Sequence, residues 1–192
     1  MNYLRAFAPW IVYAVVPADY WQWAALAAAL IALGEIVLRL RARYAVEGLI
    51  IDIGSLVYFT ALCGLAFTHP DTPLHAYTPS LANGALAVIA IASLALRAPF
   101  TLGIAKQSTP PEFWDQPLFI RTGYLLTGVW TASFVLGCLT LALVAHAGPV
   151  TLTAVHALVF GAPAAFTVWY VARIRSRAAS LLAAREGVDQ AI

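Results

Sequence analysis

Residues 21–67 read WQWAALAAALIALGEIVLRLRARYAVEGLIIDIGSLVYFTALCGLAF, two apolar runs over 21–38 and 48–67 that flank a short connection holding Arg39, Arg41 and Arg43. Each run approaches the roughly 20 apolar residues that cross a hydrocarbon core about 30 Å thick. The connection is too short to do anything but fold the second run back along the first. An antiparallel transmembrane hairpin with its positive charge at the bend is the expected result.

The pattern extends in both directions. Further apolar runs cover residues 4–16, 81–96, 118–145 and 150–171. The connections without basic residues are rich in turn formers: Pro17-Ala18-Asp19, His69-Pro70-Asp71-Thr72-Pro73 and Ala147-Gly148-Pro149. The composition fits lipid rather than water, being 62% hydrophobic and 10% charged, where a soluble domain carries about a quarter charged residues. Mean hydropathy is +0.82. A chain of 192 residues then suits one all-α transmembrane bundle over 1–175, followed by a tail over 176–192.

The placement of lysine and arginine orients the bundle, because short cytoplasmic loops keep positive charge and translocated loops are depleted in it. All eleven basic residues fall on alternate connections: Arg5; Arg39, Arg41 and Arg43; Arg97, Lys106 and Arg121; Arg173, Arg175, Arg177 and Arg185. Six crossings with both termini cytoplasmic put every one of them on one side. Arg5, the apolar run 6–16 and Val16-Pro17-Ala18 also imitate a cleavable leader; the segment is expected to stay as the first helix. Tyr20, Trp21 and Trp23 on the outside, and Phe113, Trp114, Trp169 and Tyr170 on the inside, fit aromatic belts at the two interfaces.

Local signals add detail. Thr109-Pro110-Pro111-Glu112 reads as a helix start, with Thr109 as N-cap, Pro110 at the first position and Glu112 returning a capping-box bond. A short interfacial helix ending at Pro117 is expected there, the plainer reading being an ordered loop. Ala24, Ala28 and Ala32 repeat every four residues and form a stripe for close helix packing. Gly161-Ala162-Pro163 interrupts the last run, where proline removes a main-chain hydrogen bond and bends the helix unless neighbours compensate.

Glu35 and Asp52 enter the apolar runs, and ionisable groups at membrane depth are functional candidates. They sit at similar distances from the bend between them. The plain reading pairs Glu35 with Arg39 four residues later. The sharper one adds Arg97 and Arg121, from the next basic connection, to make an acid–arginine cluster closing the inner end. His69, His75, His146 and His156 all fall in the outer half but lack HExxH or paired spacing, so they are weak metal or haem candidates and no cofactor is expected. Cys63 and Cys138 lie within apolar runs without CxxC or Cys/His spacing and are read as small apolar residues. A net charge of +2 with no soluble basic domain argues against nucleic acid. No nucleophile elbow or phosphate-cradling glycine loop specifies an enzyme.

Arg97-Ala98-Pro99-Phe100-Thr101-Leu102, then Pro110-Pro111-Glu112-Phe113-Trp114, then Trp130 together resemble the intracellular septation protein A family over roughly residues 80–175. Where that family tends to carry asparagine near the start of the fifth span this chain has Thr122 and Gly123, and its inner segment is sparser in lysine. The resemblance implies a bacterial inner-membrane protein of cell-envelope maintenance or septation, working through contacts with other membrane proteins and without catalytic residues.

The leading expectation is therefore a non-enzymatic envelope protein acting through helix faces and cytoplasmic connections. Its expected surroundings are the bilayer and other membrane proteins or copies of itself. A second reading is a small transporter or channel using Glu35 and Asp52, built from two inverted halves of three spans or from two parallel hairpins. A third is an accessory or cofactor-binding membrane subunit.

Overall fold

Prolines mark where the helices begin. In the computed structural model, which describes residues 5–42 and 49–189 and side chains through residue 176, four helices carry proline in their first two positions. There the ring presets the helical backbone and its missing N–H removes no helical bond. Leu4, Gly48 and Arg43 lie outside the described residues, as do the side chains of Arg177 and Arg185.

In chain order the helices are α1 (Ala8–Val15), α2 (Trp21–Arg41), α3 (Ile50–Thr68), α4 (Thr78–Ala95), α5 (Phe100–Lys106), α6 (Pro117–Leu143) and α7 (Pro149–Asp189). Short 3-10 turns cover Ala18–Tyr20, Pro73–Tyr77 and Pro111–Phe113, and no strand occurs among the described residues. Five helices are long and apolar enough to cross a membrane: α2, α3, α4, α6 and α7. The protein is thus a multi-pass, all-helical membrane protein. The segment expected as the first span holds α1, whose eight residues reach only about 12 Å.

Successive long helices run antiparallel, as contacts along their lengths require. Arg39 meets Asp52 at one end of α2 and α3, and Trp23 meets Phe67 at the other. Ser80 bonds the Cys138 carbonyl across α4 and α6, while Trp130 and Ser133 on α6 reach Thr167 and Val159 on α7. One end of the bundle therefore gathers Arg39, Arg41, Arg97, Arg121, Arg173 and Arg175. The opposite end gathers His69, His75 and His146.

The buried stripes repeat at alternating three- and four-residue steps, the spacing of helices that interlock at a shallow crossing angle. On α3 the stripe is Asp52, Ser55, Phe59, Leu62 and Ala66; on α6 it is Gly123, Thr127, Trp130, Phe134, Gly137 and Leu141. Ala24, Ala28 and Ala32 are all buried, letting the α2 backbone approach its neighbours closely. Gly137 is equally constrained, because a Cβ there would meet Val159 at 2.6 Å and the Asn83 Oδ1 at 2.8 Å. Large apolar side chains such as Val88, Leu136, Leu143 and Val168 point outward, as lipid contact demands.

α1 is short but deeply seated. Phe7, just before it, stacks on Trp130 at 5.4 Å between ring centroids and meets Phe100 and Phe160 edge-on, touching α5, α6 and α7 at once. Trp10 stacks on Tyr58 and donates its Nε1–H to the Ser55 Oγ at 2.8 Å. These contacts wedge α1 between the two halves of the bundle.

Two expectations change. The segment after Thr109 forms only a 3-10 turn, Pro111–Phe113, with Pro110 at its cap and no side-chain capping bond. Thr109 instead offers its carbonyl to the Trp114 Nε1 at 2.8 Å. Pro117 opens α6 rather than closing an interfacial helix, because proline fits a first turn and not a last one. The α-helix in this connection is α5, further upstream, folded against α6 by the Thr101 Oγ1 donating to the Gly123 carbonyl at 2.8 Å. Among the belt aromatics, Tyr20 and Trp23 are exposed, but Trp21 is buried against His75.

α7 runs unbroken through Pro163 and past residue 175 to Asp189. Proline at 163 leaves the Val159 carbonyl without its helical donor, and the Ser133 Oγ of α6 donates to that carbonyl at 2.6 Å. A neighbouring helix thus replaces the lost bond. Gly161 faces open space, with nothing near the place of an added Cβ.

Candidate functional site

The arginine-rich end of the α2–α3 hairpin holds four charged side chains in series. The Arg5 Nε donates to the Glu35 Oε1 at 3.0 Å. The Arg39 Nε lies 3.7 Å from the Glu35 Oε2 and 3.2 Å from the Asp52 Oδ2. Two guanidiniums and two carboxylates give a neutral group.

Local helix chemistry places the inner pair. Arg39 lies in the last turn of α2 and Asp52 in the first turn of α3. Each meets the end of the helix dipole that favours its charge. Both occupy the buried stripes, so their side chains point at the partner helix instead of at lipid. The Arg39 and Asp52 side chains are 5% and 1% exposed, Glu35 is 12% exposed, and Arg5 at 60% forms the open end. A lone charge at that depth costs several kcal/mol, which a paired and neutral set avoids. The Asp52 Oδ1 is buried without a hydrogen-bond partner among the described residues.

Glu35 and Asp52 thus share one cluster, bridged by Arg39, but the arginines expected from the next connection do not join it. Arg97 and Arg121 are exposed, and no ion pair ties either to an acid among the described residues. Arg97 follows α4 in a left-handed conformation (φ 57°) that turns it away from the bundle. Arg121 precedes Gly123 of the α6 stripe by two residues, about 200° around the helix. The cations supplied instead are Arg39, within the hairpin, and Arg5, absent from the sequence-based proposal. A signal for Arg5 existed: Arg5 and Glu35 lie at comparable spacings on either side of the Ala18–Tyr20 turn, which brings them to a similar level when α1 folds back on α2.

Each histidine has a neighbour of its own. His75 packs on Trp21, His146 on Tyr77, the His69 Nδ1 lies 2.9 Å from the Thr68 Oγ1, and the His156 Nδ1 lies 3.2 Å from the Leu152 carbonyl. No group of three metal-ligating side chains forms among the described residues. Cys63 and Cys138 are both free thiols, the latter 3.6 Å from the Ser80 Oγ. The residues that carry the family resemblance serve packing here: Phe100 and Trp130 are buried around Phe7. Compared with family models, curated proteins and solved structures, the chain matches none.

Proposed function

We propose that this chain is a non-enzymatic multi-pass protein of a bacterial inner membrane, serving cell-envelope maintenance or septation through contacts of its helix faces and basic connections with other membrane proteins. The observation that carries this reading is the self-neutralised ion network. Arg39 and Asp52 are buried and turned towards each other, so the strongest charges in the apolar region are engaged in holding the hairpin. Three further polar contacts inside also join helix to helix: Trp10 on Ser55, Trp130 on Thr167 and Ser133 on the Val159 carbonyl. The resemblance around Arg97, Phe100 and Trp130 favours the same role.

In this reading the chain crosses six times, with its basic end and both termini in the cytoplasm. Arg5 beside Glu35 and Trp21 beside His75 favour α1 and its flanks traversing the bilayer depth, since those contacts lie at opposite ends of the bundle. The test is deletion of the gene in its own host, with cell shape and envelope integrity followed through osmotic shifts. Altered shape or leakage is expected, and restoration by the double variant Arg39→Leu/Asp52→Leu, which retains packing without charge. Normal morphology throughout would refute the proposal.

A second reading, an ion or small-solute transporter using Glu35 and Asp52, draws on the Asp52 Oδ1 buried without a hydrogen-bond donor among the described residues. Its signature is flux in reconstituted vesicles that disappears on Asp52→Asn. Vesicles that stay tight with the wild-type protein would dismiss it.

A further inference from the structure

The buried ion network holds one cation between two acids. The Arg39 Nε lies 3.2 Å from Asp52 and 3.7 Å from Glu35, so a single guanidinium serves carboxylates on α2 and α3 at once. The two contacts are close enough in length for a small rotation of the Arg39 side chain to favour either. Which of them it favours depends on the charge that each carboxylate carries.

Asp52 is the deeper of the two acids. Its side chain is 1% exposed, and neither carboxylate oxygen accepts a hydrogen bond among the described residues. The charged groups that face it there are Arg39 and, beyond Arg39, Glu35 and Arg5; Arg43 and Glu47 of the adjoining connection lie outside the described residues. The polar groups one turn further along α3 are already engaged, because the Ser55 Oγ accepts from the Trp10 Nε1 and donates to the Ile51 carbonyl at 2.6 Å. Past Ser55 the buried stripe is apolar, with Phe59, Leu62 and Ala66. Ionisable groups therefore lead from Asp52 towards the basic end, where exposure rises from 5% at Arg39 to 12% at Glu35 and 60% at Arg5.

We propose that Asp52 is a proton-binding site and that protonation of its carboxylate passes Arg39 to Glu35. The proton adds to an Asp52 oxygen and makes a neutral acid; the ion contact with Arg39 ends, no covalent bond breaks, and Glu35 remains as an acceptor for the guanidinium. A proton needs one oxygen, whereas hard metal cations gather about six. The Ser55 hydroxyl is committed elsewhere, and no group of three metal-ligating side chains forms among the described residues. Because Arg39 and Asp52 tie the ends of α2 and α3 together, the exchange makes this end of the hairpin respond to acid. The inference uses the ion network described above and is independent of the envelope role.

The test uses the full-length protein in phosphatidylcholine nanodiscs, followed by infrared difference spectroscopy as the pH is lowered stepwise from neutral until unfolding begins. The folded wild type is expected to gain, reversibly, a protonated-carboxyl C=O band at the high-frequency edge where a carbonyl without hydrogen-bond donors absorbs, apart from the bands of exposed acids such as Glu112 and Asp115. Asp52→Asn is expected to lack that band and Glu112→Gln to keep it. Isotope-labelled aspartate in the wild type makes the same assignment should Asp52→Asn fail to fold, since Asp52 is the one buried aspartate among the described residues. The passing of Arg39 is read from thermal unfolding midpoints at neutral pH, with Asp52→Asn standing for the protonated acid: Glu35→Gln is expected to lower the midpoint more in the Asp52→Asn background than in the wild type. No such band before unfolding, a band that survives Asp52→Asn, or one that the aspartate label leaves unmoved would each overturn the proton site. Equal losses from Glu35→Gln in both backgrounds would overturn the exchange of Arg39.

Discussion

At the scale of single residues, the energetics of Arg39 and Asp52 turn on whether one charge or both are removed. Removing Arg39 leaves Asp52 an uncompensated buried charge, a loss of about 3–5 kcal/mol, and removing Asp52 leaves Arg39 with its longer contact to Glu35 in a network one positive charge in excess, whereas replacing both with apolar residues of similar volume is often close to neutral. Thermal unfolding in detergent should therefore rank Arg39→Leu and Asp52→Leu well below the wild type and the double variant above either single one. Strictly additive losses would show that the 3.2 Å contact does not couple them. Arg97 predicts the opposite sign. Releasing its left-handed strain with Arg97→Gly should stabilise the protein in zwitterionic lipid by about 1 kcal/mol, read from the same unfolding curves. What sequence conveys at this scale depends on whether a residue's partner sits in a regular helix. Glu35, Arg39 and Asp52 lie in uninterrupted helices, where depth follows from counting. Arg97 lies at a cap whose handedness nothing in its own identity announces, and Arg121 lies off the buried stripe by an angle that hydropathy does not resolve.

At the scale of helices, Pro163 shows how a local defect becomes an interhelical bond. The Ser133 Oγ donates to the carbonyl that proline leaves unpaired. Ser133→Ala should cost about 1 kcal/mol. In a Pro163→Ala background the main-chain N–H of residue 163 recovers the Val159 carbonyl, and the serine change should then matter little. A double-mutant cycle by unfolding in detergent measures the coupling, and equal effects in both backgrounds would contradict it. The possibility of compensation was legible in the sequence, but the serine that provides it was not, because it depends on how α6 and α7 are registered. The alanine stripe of α2 was legible for a simpler reason: four-residue repeats of small side chains stay on one helical face whatever they meet.

At the scale of the whole molecule, the threading makes a labelling prediction. With Cys63 and Cys138 replaced by alanine, single cysteines at Asp71 and Gly148 should react with a membrane-impermeant maleimide in intact cells. Cysteines at Ser108 and Ser176 should react only after permeabilisation, and any other pattern would break the six-crossing map. The five long spans followed from composition and length alone, whereas α1 did not declare its character, because its eight helical residues gain their place by aromatic contact rather than by hydropathy. That seating has a consequence for biogenesis. Phe7 rests against Phe160, so a ring that precedes α1 has no finished berth until α7 has left the ribosome. A nascent chain stalled before α7 would hold α1 in an incomplete cradle, so that α7 completes the site α1 occupies.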